Sequence, residues 1–214
     1  MRPPRRPPLL FALGALAGGG LLPAVAVAEA PPSLLARLDQ QSKGVRSLAG
    51  EFTQKNKIKL FKQELRSQGR FFFERPRRIR WEYKSPDPST LILDGTKATL
   101  RAPGAPLTSF DLQRDPVMRT IFDQLLLWLG SGSLAGAGGD YEIVEGGTAA
   151  APQLTLTPRA ASPIAKAFTS IELGFDRQLL LRRILLREPG GDEKLIELPK
   201  LEKNGKLPGD AFQP

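Results

Sequence analysis

The run Gly69 to Tyr83, GRFFFERPRRIRWEY, constrains the fold more than any other part of the chain. It reads as two β-strands joined at Arg75-Pro76. Side chains alternate across a strand with a period of two. In the first strand Phe71, Phe73 and Arg75 therefore share one face, and Phe72 and Glu74 share the other. In the second strand Ile79, Trp81 and Tyr83 lie opposite Arg78, Arg80 and Glu82. A large aromatic row results, with an arginine at its end. An ionised arginine near an apolar face needs a partner, because burying a lone charge is very costly. The stretch predicts an apolar interior with one polar control point at its rim.

The N-terminus reads as a targeting segment. Arg2, Arg5 and Arg6 precede an apolar run from Leu9 to Leu22, and Ala26-Val27-Ala28 is a small-residue cleavage site. The run is short for a transmembrane span. Cleavage after Ala28 is expected, leaving residues 29–214 as a single domain exported to the periplasm. The chain contains no cysteine, which excludes a disulfide and a lipid-modified cysteine. The 31 basic and 22 acidic residues give a net charge of +9. That balance suits an acidic partner or a membrane surface, and export argues against nucleic acid.

The chain also contains no histidine. Ser-His-Asp and Cys-His nucleophile systems are impossible, as are histidine-based metal sites. No local motif for a Ser-Lys hydrolase or a carboxylate-pair glycosidase is present. The expectation is a protein that is not an enzyme and needs no cofactor or metal.

Ser33 is placed to N-cap a helix with Leu34, Leu35 and Leu38 on one stripe, ending at Gly44. Leu48, Gly50, Phe52 and Gln54 then alternate as a strand. Lys55, Lys57, Lys59 and Lys62 follow on what reads as a solvated face and hairpin. Asp94-Gly95 marks a tight hairpin turn. Asp115-Pro116 opens a second helix. Its expected face is Val117, Ile121, Leu125 and Trp128, widened by Met118, Phe122 and Leu129. A helix apolar around so much of its girth is buried or covers something apolar. Gly130 to Gly139 reads as a flexible Gly/Ser/Ala loop suited to a hinge. From Tyr141 onward, short strands alternate with Gly, Pro and Asp breakers. Ten or eleven short antiparallel strands with two helices indicate a barrel or a strongly curved sheet. A cavity in such a sheet, walled by rigid aromatics, suits an acyl chain.

These features resemble the LolA family of periplasmic outer-membrane lipoprotein carriers. The resemblance rests on FTQK at Phe52 to Lys55, on FERPRRIRWEYKSPDPSTLILDG at Phe73 to Gly95, on the helix opening at Asp115-Pro116, and on LTLTPRA at Leu154 to Ala160. It implies a mainly β (α+β) fold, an incomplete antiparallel β-barrel of about eleven strands with a helical lid. It also implies a monomeric chaperone that shelters lipoprotein acyl chains. Cargo would come from an inner-membrane ABC-type releasing complex and pass to the outer membrane, often through an acceptor lipoprotein.

By the same resemblance Arg75 is the lid latch. Phe52, Phe71, Phe73, Ile79, Trp81 and Tyr83 form the cavity wall. Leu34, Leu35, Leu38, Val117, Met118, Ile121, Phe122 and Leu125 belong to the lid helices. Ile79 also falls where the family places a residue implicated in contact with the inner-membrane complex. The alternative is a LolA-like lipid or glycolipid carrier or acceptor of another envelope pathway. An acceptor of the usual kind would carry a lipidated cysteine.

Overall fold

The computed structural model of the chain describes residues 32–60 and 63–213. The expected targeting segment and its cleavage site lie outside the described residues, as does Lys62. Helix α1 (Leu34–Lys43) precedes six strands: β1 (Ser47–Ile58), β2 (Gln63–Glu74), β3 (Arg78–Ser85), β4 (Ser89–Asp94), β5 (Lys97–Arg101) and β6 (Thr108–Asp111). Helix α2 (Pro116–Leu126) leads to five more: β7 (Tyr141–Gly147), β8 (Pro152–Pro158), β9 (Ser170–Phe175), β10 (Leu181–Arg187) and β11 (Glu193–Lys203).

All eleven strands join one sheet in the order β6-β5-β4-β3-β2-β1-β11-β10-β9-β8-β7. Every neighbouring pair is consecutive in sequence except β1 and β11, whose pairing unites the two halves. The ends, β6 and β7, are not paired to each other, so the barrel is incomplete. Helix α2 occupies the sequence between these two free edges.

Both helices start as their local chemistry dictates. Ser33 Oγ accepts from Ala36 N–H at 3.2 Å, and Asp115 Oδ1 accepts from Met118 N–H at 2.9 Å. Each side chain satisfies one of the amides that a helix start leaves without an intrahelical partner. Gly44 caps the end of α1. Gly95, at φ +65°, makes the β4–β5 turn, a conformation that costs glycine no steric clash.

Three segments depart from the sequence reading. Strand β2 starts at Gln63 rather than Gly69, because residues 63–68 pair with β1, which pairs with β11 on its other side. Ala167 to Phe175 reads as a strand in the sequence, yet β9 starts only at Ser170, after the 3-10 turn Pro163–Lys166. The Gly130 to Gly139 segment is not a plain loop. It continues α2 as a π-helical turn (Leu127–Ser131), then a 3-10 turn (Ala135–Gly139). Asp39 of α1 ties it down, accepting from Ser133 Oγ at 2.6 Å and Leu134 N–H at 2.8 Å.

The main core lies between the sheet and the helices. Phe52, Phe71, Phe73, Ile79 and Trp81 are buried there with Leu154, Leu156, Ile171, Leu173, Ile184 and Ile196 from the other half. A smaller cluster on the opposite face of β2–β4 comprises Phe72, Ile92, Ala211 and Phe212. The period-two count that separated Phe72 from Phe71 and Phe73 therefore describes two real surfaces. The chain's end covers the second. The Arg78 guanidinium lies 4.3 Å from the Phe212 ring centroid, and Arg80 donates to the Gln213 carbonyl at 2.8 Å.

Candidate functional site

The aromatic wall is built by reciprocal pairing across β1 and β2. Phe52 faces Gly69, and Gly50 faces Phe71. A Cβ at Gly50 would stand 2.7 Å from the Phe71 ring, and one at Gly69 would stand 2.7 Å from the Phe52 ring. Each glycine lets an aromatic ring lie against the opposite backbone. Trp81, paired with Phe71 on β3, stacks on both rings, at centroid separations of 4.4 Å from Phe52 and 5.4 Å from Phe71. Tyr83 meets Phe52 edge-on at 5.2 Å. These separations fall in the range where aromatic pairs attract beyond their area burial.

Tyr83 is half-buried and donates through its hydroxyl to Gln54 Oε1 at 3.0 Å. Burial pushes the Tyr83 phenol up from its ordinary pKa. Gln54, itself buried, gives the wall a neutral polar edge. Phe73 and Ile79 are fully buried, so a partner reaches Ile79 only if the covering helices move. Its expected place at the contact with an inner-membrane complex is not a surface in this state.

Arg75 lies in the turn after β2, not on the strand face where the alternation placed it, because β2 ends at Glu74. Its own N–H donates to the Arg46 carbonyl at 2.9 Å. The guanidinium then reaches three carbonyls. Nε donates to Val45 O at 2.6 Å, and Nη2 donates to Ser42 O at 2.8 Å and to Gly130 O. Ser42 belongs to the last turn of α1, where helix carbonyls lack intrahelical partners and carry partial negative charge. Gly130 sits at φ +93° inside the π-turn. One side chain thus bridges α1 and the extension of α2.

The same turn makes two further ties. Ser131 Oγ donates to Pro76 O at 2.6 Å, and Arg77 pairs with Asp123 of α2 at 2.8 Å. At its other end, α1 is held by Glu145 of β7, which accepts from Leu34 N–H at 2.9 Å and Leu35 N–H at 3.0 Å. The bond from Leu35, opposed by partial burial and aided by those from Leu34 and Ser33, holds the Glu145 carboxyl below its usual pKa. Tyr141 of β7 donates to Gln124 of α2, and burial raises its phenol pKa.

Of the expected cover residues, Leu34, Leu38 and Phe122 are buried, while Leu35, Met118 and Leu125 are half-buried against the core. Ile121 is 45 % exposed. The buried row is Phe122 and Leu126 of α2, continued by Trp128 and Leu129 of the π-turn. Of the expected face, Trp128 is buried, Leu125 half-buried and Ile121 turned out, with the Asp123 and Gln124 ties fixing the rotation of α2. The Val117 side chain lies outside the described part of the structure. A pocket of about 40 Å³ remains between α1, the π-turn and β10, lined by Leu38, Val45, Trp128, Leu134, Phe175 and Leu181 among others. That is room for roughly three waters, so this pocket is closed to an acyl chain.

Sequence reasoning did not single out Arg77, Asp123, Ser131, Asp39, Glu145 or Gln54. Their partners lie far away in sequence or on the backbone, and neither leaves a local pattern.

The fold and site define an open antiparallel half-barrel whose apolar interior is closed by two hydrogen-bonded helical segments. Residues 43–214 match the family described as "Outer membrane lipoprotein carrier protein LolA". The outer-membrane lipoprotein carrier protein of Cupriavidus pinatubonensis is 29 % identical over 203 residues, covering 89 % of this chain and 88 % of the relative. That of Xanthomonas axonopodis pv. citri is 26 % identical, covering 82 % and 81 %. Among solved structures, a LolA superfamily protein from Nitrosomonas europaea aligns with a TM-score of 0.44 at 11 % identity, over 86 % of this chain and 99 % of that one. The chain belongs to the LolA family of outer-membrane lipoprotein carriers.

Proposed function

We propose that this chain is a periplasmic chaperone that takes up the acyl chains of lipoproteins released from the inner membrane and carries them to the outer membrane. The observation that carries this reading is Arg75, which donates to carbonyls of both covering segments above an aromatic interior. In the free protein the wall rings stack on one another and the helices lie shut. Hydrogen bonds to a charged group contribute about 1.5–3 kcal/mol each. A buried acyl chain gains about 0.8 kcal/mol per CH₂. A chain of ordinary length therefore outweighs the Arg75 bonds, and cargo opens the cover by competing for the same interior. Arg75 is the latch, and Phe52, Phe71, Phe73, Ile79, Trp81 and Tyr83 become the wall of the opened cavity. The partners on this reading are an ABC-type releasing complex at the inner membrane and an acceptor, or the lipid itself, at the outer membrane.

The test is lipoprotein release from spheroplasts in the presence of wild type or Arg75→Leu. Altered loading or altered onward transfer in the variant supports the latch. Unchanged loading together with unchanged transfer refutes it.

A further inference from the structure

Among the described residues, two buried side-chain donors have no hydrogen-bond partner, Arg78 Nε and Trp128 Nε1. Arg78 Nε lies 3.2 Å from Asp94 Oδ1, an ion-pair partner that accounts for it. Trp128 has no such neighbour. It is 6 % exposed, and its indole N–H is left unpaired in the apolar core. Buried polar groups are nearly always satisfied, so a specific exception calls for an explanation.

The surroundings point to a ligand. Trp128 lines the 40 Å³ pocket together with Leu38, Val45, Leu129 and Leu181. It stands in the π-turn, two residues before Gly130, whose carbonyl Arg75 holds. Single π-turns inside helices are frequent at functional sites. The carbonyls of Ser42, Val45 and Gly130, all within this pocket's lining, are occupied by Arg75. The indole is therefore a donor beside a region of the cover that must move if anything is to enter.

We propose that the Trp128 N–H binds a carbonyl oxygen of the acylated cargo, at the ester that joins an acyl chain to its head. This rests on the carrier reading above. An acyl chain carries no polar atom except at this carbonyl. An aromatic wall therefore cannot set how far the chain enters. A single donor at the cover fixes that depth, and it favours esterified chains over plain hydrocarbon.

The test compares dipalmitoylglycerol with the dihexadecyl diether of glycerol, which has equal chains and no carbonyl. Binding to the full chain is measured by displacement of a fluorescent apolar dye, and the indole N–H signals by ¹⁵N-edited NMR. The chain has two tryptophans, and the Trp128 signal is identified by its loss in Trp128→Phe. The expected result is a roughly fivefold preference of the wild type for the diester, the contribution of one modest hydrogen bond. The Trp128 signal shifts downfield with the diester only, and Trp128→Phe binds both lipids with equal affinity. Equal wild-type affinities for the two lipids, or an ester preference that survives in Trp128→Phe, overturn the proposal. If Trp128→Phe does not fold, Trp81→Phe assigns the remaining signal to Trp128, and the wild-type preference and signal shift still decide. Binding of neither lipid by wild type overturns the acyl-carrier reading itself.

Discussion

The Phe52 ring lies against Gly69, its cross-strand partner, so closely that a Cβ there would stand 2.7 Å from the ring and 1.9 Å from the Glu82 carbonyl. The second contact is backbone and cannot swing aside. Gly69→Ala must therefore push β3 away or expel Phe52 from under Trp81. Overpacking of this kind costs about 3 kcal/mol, measured as a shift in the urea midpoint. Gly190→Ala, where a Cβ meets nothing within 4 Å, is the control and leaves the midpoint unchanged.

Within the turn Arg75 to Arg77, Arg75 ties α1 to the π-turn and Arg77 ties the turn to α2 itself. Arg75→Leu releases three carbonyls, and amide exchange in residues 34–43 rises by at least tenfold, the effect of losing even one charged hydrogen bond of about 2 kcal/mol. Arg77→Ala removes the Asp123 pair, which is partly exposed and is the tie to α2, together with a 3.3 Å bond to the Gly95 carbonyl that does not touch the helix. Exposed pairs contribute about 0.2–1 kcal/mol, so exchange in 116–126 rises by less than a factor of six. Similar effects of both variants on both helices would refute this division.

Glu145 makes the start of α1 sensitive to acid. Its carboxyl is held below the ordinary carboxylate range by the α1 amides. Because the folded pKa is depressed, the stabilisation is complete above about pH 4.5 and disappears as pH falls through the folded value. The stability difference between wild type and Glu145→Gln is constant at neutral pH and shrinks toward zero in acid. Glu82 shifts the same way: burial opposes, but the hydrogen bonds and charges of Arg70 and Arg80 win. Glu82 is intact in both proteins, so the difference isolates Glu145.

Phe212 closes the outer cluster over Phe72 and Ile92. Phe212→Ala costs roughly 3 kcal/mol, at the lower end for a buried phenylalanine because this cluster is small. It also exposes an apolar patch on β2–β4, visible as increased binding of an apolar dye. An unchanged denaturation midpoint would show that the tail does not pack there in solution.

What could be read beforehand was local. The alternation through Phe71, Phe72 and Phe73 separated two faces because a strand repeats every two residues, and both faces are buried as distinct clusters. Ser33, Asp115-Pro116 and Asp94-Gly95 marked their helices and turn because each motif acts within four residues. The rotation of α2 was not legible. A helix apolar on most sides leaves its inward face to contacts such as Asp123 with Arg77 and Gln124 with Tyr141. The partners of Arg75 were unreadable from composition because they are backbone carbonyls, which every residue owns. Glu145 reaches Leu34 across 111 positions. The β8–β11 half of the interior went unassigned because its aliphatic rows match any strand core.

On the carrier reading, α1 and the π-turn must separate for cargo to enter. A Cβ at Gly130 would lie 3.6 Å from the Ser42 Cβ, within the range a disulfide spans, and the chain has no other cysteine. Ser42→Cys combined with Gly130→Cys makes a cover that locks on oxidation and frees on reduction, with the same positive-φ strain in both states. The direct measurement is lipoprotein loading by this variant, oxidised and reduced. The expected result is that the oxidised form takes up no cargo and that reduction restores uptake. Equal loading in the two states would contradict it.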